Sequence, residues 1–127
     1  MIVLDASVLI AHLDERDTHH ERATQLLAGT GTESLGASTI SLAETLVAPT
    51  RAKRLPAATA ALARLGVIEL SFGEEAAKRL AQLRADTGHK LPDCCVLLAA
   101  AESGAAIATF DSDLVDSARR LGLSTLP

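Results

Sequence analysis

The chain has 127 residues, 48% of them hydrophobic and 22% charged, enough for one soluble domain over residues 1–127 that needs no disulfide or metal staple. Twelve basic residues against sixteen acidic ones give a net charge of −4, which excludes a fold that grips phosphates by bulk positive charge. Two phenylalanines, with no Trp or Tyr, exclude the stacking platforms of RNA-recognition sheets and OB barrels.

The first predicted strand is Ile2-Val3-Leu4, closed by Asp5, with helices over residues 7–13 and 18–27 behind it. Gly29-Thr30-Gly31-Thr32 breaks the second helix, and residues 35–38 form a weak strand with Gly36 inside it. Residues 41–47 read as a helix that Pro49 ends, and residues 56–65 as a helix stopped by Gly66. Val67-Ile68-Glu69-Leu70 is the third strand. Residues 74–87 repeat Ala77, Leu80, Ala81 and Leu83 at helical spacing before Gly88. Pro92 opens a helix that runs to Glu102, and residues 106–110 make the fourth strand. Residues 113–121 are helical up to Gly122, and residues 123–126 form a short last strand. Short apolar strands alternating with helices of about ten residues mean βαβ units and a parallel sheet covered on both faces.

Adjacent Cys94 and Cys95 suit neither a disulfide scaffold nor a zinc site of the usual spacing. Asp5 interrupts the opening apolar run, so it does not read as a signal peptide, and no apolar stretch reaches the ~18–20 residues of a membrane span. The expectation is a cytoplasmic protein with no membrane partner.

In open parallel sheets ligands bind beyond the carboxyl ends of the strands, where strand order reverses. Asp5 follows the first strand, Glu44 the second, and Asp111 and Asp113 the fourth. Asp93 opens the helix that leads into the fourth, and stands with the others only if its preceding loop returns to that edge. Singly, each acid suits a structural role. Ser41-Leu42-Ala43-Glu44 fits a capping box, Asp93 offsets a helix dipole, and Asp5 and Asp111 fit N-caps. Jointly they would repel one another at one edge, with only Lys90 near them in sequence. Mg²⁺ or Mn²⁺ relieves that conflict, because these ions take hard oxygen ligands and keep several waters. Such a site suits phosphodiester hydrolysis.

The segments around these acids then form a recognisable set. Val3-Leu4-Asp5-Ala6-Ser7-Val8-Leu9-Ile10-Ala11 resembles the opening of PIN-domain ribonucleases. Ser41-Leu42-Ala43-Glu44-Thr45-Leu46, Leu91-Pro92-Asp93-Cys94-Cys95 and Thr109-Phe110-Asp111-Ser112-Asp113-Leu114 are similar to their second, third and closing motifs. The size resembles the VapC toxins of bacterial toxin–antitoxin pairs. The resemblance implies a three-layer α/β/α PIN-like fold with a parallel sheet of about five strands in order 3-2-1-4-5. It also implies Mg²⁺- or Mn²⁺-dependent cleavage of RNA, often tRNA or rRNA, by an activated water. By position Asp5, Glu44, Asp93 and Asp111 match the catalytic and metal-binding acids, Asp113 the frequent fifth, and Ser7 a hydroxyl near the metal. A small antitoxin partner and a homodimer belong to the same expectation. Lys90, Arg51, Lys53 and Arg54 are candidate RNA contacts, against the plainer reading of solvated surface. His12, His19, His20 and His89 show no ligand spacing and read as ordinary surface or loop histidines.

Three rival functions fit the sequence less well. A haloacid-dehalogenase-like phosphatase needs D-x-D, and this chain has Asp5-Ala6-Ser7. A receiver domain needs an Asp after the third strand and a late Lys, and both are missing. An inactive PIN-like module that only binds RNA or protein is disfavoured, because all the acids are retained.

Overall fold

The computed structural model describes residues 1–126. Along the chain it forms β1 (Ile2–Leu4), α1 (Ala6–Leu13), α2 (His20–Ala28), β2 (Leu35–Ser38), α3 (Thr39–Arg51) and α4 (Leu55–Leu65). There follow β3 (Val67–Leu70), α5 (Ala76–Thr87), α6 (Leu91–Ser103), β4 (Ala106–Ala108) and α7 (Ser112–Arg120). All strand pairs are parallel, in the order β3-β2-β1-β4.

The side chains of β1 alternate between two apolar clusters, which gives the expected three layers. Ile2 and Leu4 face Val8, Leu9, Ala23, Leu27 and Leu62, from α1, α2 and α4. Val3 faces Val96, Leu97, Ala100, Leu114 and Ala118, from α6 and α7. Leu42 and Leu46 of α3 pack against the first cluster, and Leu83 of α5 against the second. No helix among the described residues is long and apolar enough to cross a membrane.

The fifth strand is shorter than expected. Thr125 makes a single parallel bridge to Ile107, through Ile107 N–H to the Ser124 carbonyl and Leu126 N–H to the Ile107 carbonyl, both 2.8 Å. It sits beside β4, where the order 3-2-1-4-5 puts it. Pro49 does not end α3, which continues to Arg51. The ring removes one amide from the ladder, but Ala52 N–H still reaches the Ala48 carbonyl (3.0 Å). β4 stops at Ala108 because Thr109 is drawn out of the sheet toward Asp5, as described below.

The loop after β3 settles where α6 begins. Residues 71–75 carry the chain to the far edge, so α5 starts beside the end of α6, where Arg79 Nη1 meets Glu102 Oε1 at 2.8 Å. α5 then runs back, and near its end Arg84 donates to the His89 carbonyl (2.8 Å), just ahead of α6. Asp93 is thereby delivered to the carboxyl edge of the sheet.

Gly36 explains the weak second strand. A Cβ built there would lie 2.8 Å from Leu70 Cδ1 and 3.0 Å from its Cγ, so Leu70 on the neighbouring strand occupies the space a side chain would need. β-propensity alone makes Gly36→Val favourable; overpacking makes it cost about 1–3 kcal/mol. Urea unfolding of Gly36→Val alone and combined with Leu70→Ala checks this. The expected outcome is a loss in the single variant that is partly regained in the double. A stabilised single variant would show that Leu70 moves aside freely.

Candidate active site at the carboxyl edge of the sheet

Asp5 stands directly behind β1, between it and β4, with 8% of its surface exposed. It occupies the N-cap position of α1 but accepts no backbone amide there, so its carboxylate is not used as a cap. Oδ2 accepts two hydroxyl hydrogen bonds instead, from Ser7 and from Thr109, both 2.7 Å. Thr109 Oγ1 also accepts from the Asp111 amide (3.1 Å), and Ser7 Oγ from the Phe110 amide (3.2 Å). The segment after β4 is thus fastened to the carboxylate after β1. No buried side-chain oxygen or nitrogen among the described residues lacks a partner, so Asp5 Oδ1, which has no hydrogen bond, opens toward solvent.

The other acids arrive on separate elements. α3 begins one turn earlier than the capping-box reading required, at Thr39, with Ser38 Oγ accepting from the Ser41 amide (3.0 Å). Glu44 therefore lies in the second turn, caps nothing, and projects its carboxylate free. Burial raises its pKa first, and the charges of Asp5 and Asp93 raise it further. Asp93 is in the first turn of α6. Burial likewise leads the rise in its pKa, helped by Asp5 and Asp111 and opposed by His89. Asp111 is the N-cap of α7, where Oδ1 accepts from the amides of Asp113 (2.9 Å) and Leu114 (3.4 Å). The capping reading thus holds for one of its oxygens, and the other stays available. Asp93 lies within electrostatic reach of Asp5, Glu44 and Asp111, and Glu44 within reach of Asp5. Asp113 sits exposed on the first turn of α7, and its charge does not figure in either shift.

Two positioning residues escaped the sequence reading. Thr109 carried a motif but no assigned role, and it is the buried link between Asp5 and Asp111. His89 is no ordinary surface residue. Its side chain is only 12% exposed, its Nε2 lies 2.7 Å from Ser117 Oγ of α7, and its Nδ1 lies 3.5 Å from Asp93 Oδ2. The i,i+4 spacing of His89 and Asp93 was the available signal. Lys90 is exposed at the N-cap of α6. Of the basic run, Arg54 lines a groove that also holds Glu44, whereas Arg51 and Lys53 do not. That groove, ≈ 330 Å³, runs between α1, α3 and α4 and has walls of Ile10, Leu13, Ala48 and Ala57. Cys94 and Cys95 are free and buried, and burial first, then Cys94 and Glu44, pushes the Cys95 thiol up to about 11. They pack as small hydrophobes, as expected.

Among the described residues no three His, Cys, Asp or Glu side chains form a ready-made metal-holding group. The donor set still fits a hard divalent ion. Mg²⁺ keeps most of its waters and binds through one or two carboxylates, so it does not need a closed protein cage. Four carboxylates against one partly buried imidazole suit an oxygen-seeking cation, and not zinc.

No curated protein matches the sequence. Among solved structures the chain is similar to the Mycobacterium tuberculosis toxin VapC20, which cleaves the sarcin–ricin loop (21% identity, 92% of this chain and 95% of that one, TM-score 0.72). It is similar to a chain of a toxin–antitoxin complex from Klebsiella pneumoniae (21% identity, 88% of each chain, TM-score 0.74). It is also similar to a chain of FitAcB from Neisseria gonorrhoeae (23% identity, all of this chain and 97% of that one, TM-score 0.75). At these identities the likeness is one of fold. The PIN domain model matches residues 2–120, nearly the whole chain, and the protein belongs to the PIN domain family.

Proposed function

We propose that this chain is a Mg²⁺- or Mn²⁺-dependent endoribonuclease and the toxin of a toxin–antitoxin pair. The observation that carries the reading is the convergence of Asp5, Glu44, Asp93 and Asp111, from four separate segments, on one sheet edge with so little balancing charge. A protein selected for stability alone would not gather them, since each raises the cost of ionising the next. A bound divalent ion would offset that cost, lower the pKa of a water and stabilise the leaving oxygen of a phosphodiester.

Asp5, Glu44, Asp93 and Asp111 would hold the ion, with Asp113 at the rim. Ser7 and Thr109 fix the Asp5 carboxylate so that Oδ1 faces the open side. His89 restrains Asp93 from behind, and the Asp111 cap leaves one oxygen free. The substrate class, structured RNA such as tRNA or rRNA, is supported by family membership and by the named target of the mycobacterial relative. A cognate antitoxin would seat an apolar segment in the groove beside Glu44 and direct a guanidinium at Asp5 and Asp93. Work in the cytoplasm and a homodimer that pools basic residues around two acidic sites complete the proposal.

Incubation of total RNA with Mg²⁺ tests the activity. Asp5→Asn and Asp93→Asn are expected to lose cleavage altogether. Thr109→Val, which removes one hydroxyl from Asp5, is expected to lose about 10–100-fold, as partners behind metal ligands do. Unchanged cleavage in both Asn variants would sink the assignment, and an inert wild type would favour a module that only binds.

The raised Glu44 pKa gives a second test. A carboxyl whose folded pKa is raised stabilises the fold only while protonated, and that contribution is lost as pH rises through the folded value. In the metal-free protein Glu44→Gln should therefore melt slightly above wild type at pH 7, by no more than about 2 °C. The difference should vanish near pH 4, where the glutamate is largely protonated (about 4.3 unperturbed). Mn²⁺ at a hundredfold excess over its Kd should stabilise wild type by about 2.7 kcal/mol and the variant by less. A variant that melts lower without metal and responds equally to Mn²⁺ would mean that Glu44 serves the fold.

A further inference from the structure

Phe110 stands immediately before Asp111, with its amide tied through Ser7 Oγ to the Asp5 carboxylate. Its ring leans on the apolar cluster beneath α1 and α2. Above it lies the first turn of α2. The Arg22 Cζ is 4.8 Å from the ring centroid, and the His19 ring is 5.2 Å away at a 37° tilt. The far end of α2 shares a hollow with Ile2, at the start of β1. The first turn of α2 is thus at the same edge of the sheet as the acids.

Arg22 is exposed and belongs to no ion pair among the described residues. Among the described residues only Arg16, Lys78 and Arg79 of the twelve basic side chains are paired with a carboxylate, and what sets Arg22 apart from the other unpaired ones is its place against an aromatic face. Covering the ring is the plain reading of Arg22, but an aliphatic side chain would cover it as well. A guanidinium set against an aromatic face keeps its planar fork of N–H donors for another partner, and the ring limits its motion. That fork matches a phosphate bidentately. The site beside it needs such a group, because a carboxylate cluster repels the phosphates on either side of the one being cleaved.

We propose that Arg22, held in place by Phe110, binds an RNA phosphate next to the scissile one. The proposal rests on the ribonuclease reading above. Arg22 is then a substrate-binding residue, and Phe110 is a positioning residue that acts through it. A chain almost without aromatics uses one of its two phenylalanines to orient a cation and not to stack a base.

Steady-state cleavage of a cleavable RNA in Mn²⁺, at varied salt, tests this with Arg22→Ala, Arg22→Lys, Phe110→Leu and a remote control, Arg64→Ala in the last turn of α4. Arg22→Ala should raise KM about tenfold, the worth of one good charged contact, with kcat within about twofold. The slope of log(kcat/KM) against log salt should shrink by about 0.7, one phosphate contact on a single strand. Arg22→Lys should restore the slope while KM recovers only in part. Phe110→Leu should raise KM less than Arg22→Ala and leave the slope alone, and Arg64→Ala should match wild type. An Arg22→Ala enzyme with wild-type KM and slope overturns the proposal and leaves the ribonuclease reading standing. A wild type that cleaves no RNA overturns both.

Discussion

A carboxylate set in the crevice between two central parallel strands gives up most of its hydration, and it needs hydrogen-bond donors to be tolerated there. Asp5 finds two, the hydroxyls of Ser7 and Thr109. One lies two residues along on α1, the other at the end of β4, so the local chain and the distant strand meet on a single oxygen. Much of the edge depends on that meeting. β4 ends where Thr109 turns away, Asp111 follows with its amide on the same threonine, and Phe110 is anchored by the same serine. The solvation of one buried acid thereby sets the positions of the next acid and of the aromatic ring beside it.

The remaining acids are held by means that leave their carboxylates free. Glu44 is placed by the Ser38–Ser41 cap at the start of α3, which uses hydroxyls and spares the glutamate. Asp93 is delivered by the antiparallel α5–α6 pair and steadied by His89, which α7 holds through Ser117. The fold meets the cost of assembling like charges with two well-packed apolar clusters on either side of the sheet. The acidic net charge acquires a local meaning in this light. Setting aside Asp5, Glu44, Asp93, Asp111 and Asp113 leaves eleven acids against twelve bases. The rest of the surface is then close to neutral and offers no general bar to a polyanion.

Much of this was legible in the chain itself, because strand-then-acid is a local pattern. Asp5 and Asp111 follow apolar runs directly, and the alternation of strands with helices implied a parallel sheet. The switch between β1 and β4 followed only from the strand order that the resemblance to PIN domains implies. What was hidden depends on contacts between distant residues. The Thr109–Asp5 bond spans 104 positions and the His89–Ser117 contact 28, and periodicity reports neither. The start of α3 was misplaced because Ser38 and Ser41 are both good caps, and only the register of β2 decides between them. The last strand is reduced to the single bridge between Thr125 and Ile107. Arg22 gave no signal, since nothing in the sequence sets α2 beside the residue after β4.

The central claim is that four acids from four segments serve one divalent ion. A crystal of the protein soaked in Mn²⁺, with anomalous scattering recorded at the manganese edge, tests it most directly. An anomalous peak is expected at the carboxyl edge, bound by one or more of Asp5, Glu44, Asp93 and Asp111, and it should disappear in Asp5→Asn. No peak at that edge at millimolar Mn²⁺, or a peak that persists unchanged in Asp5→Asn, would contradict it.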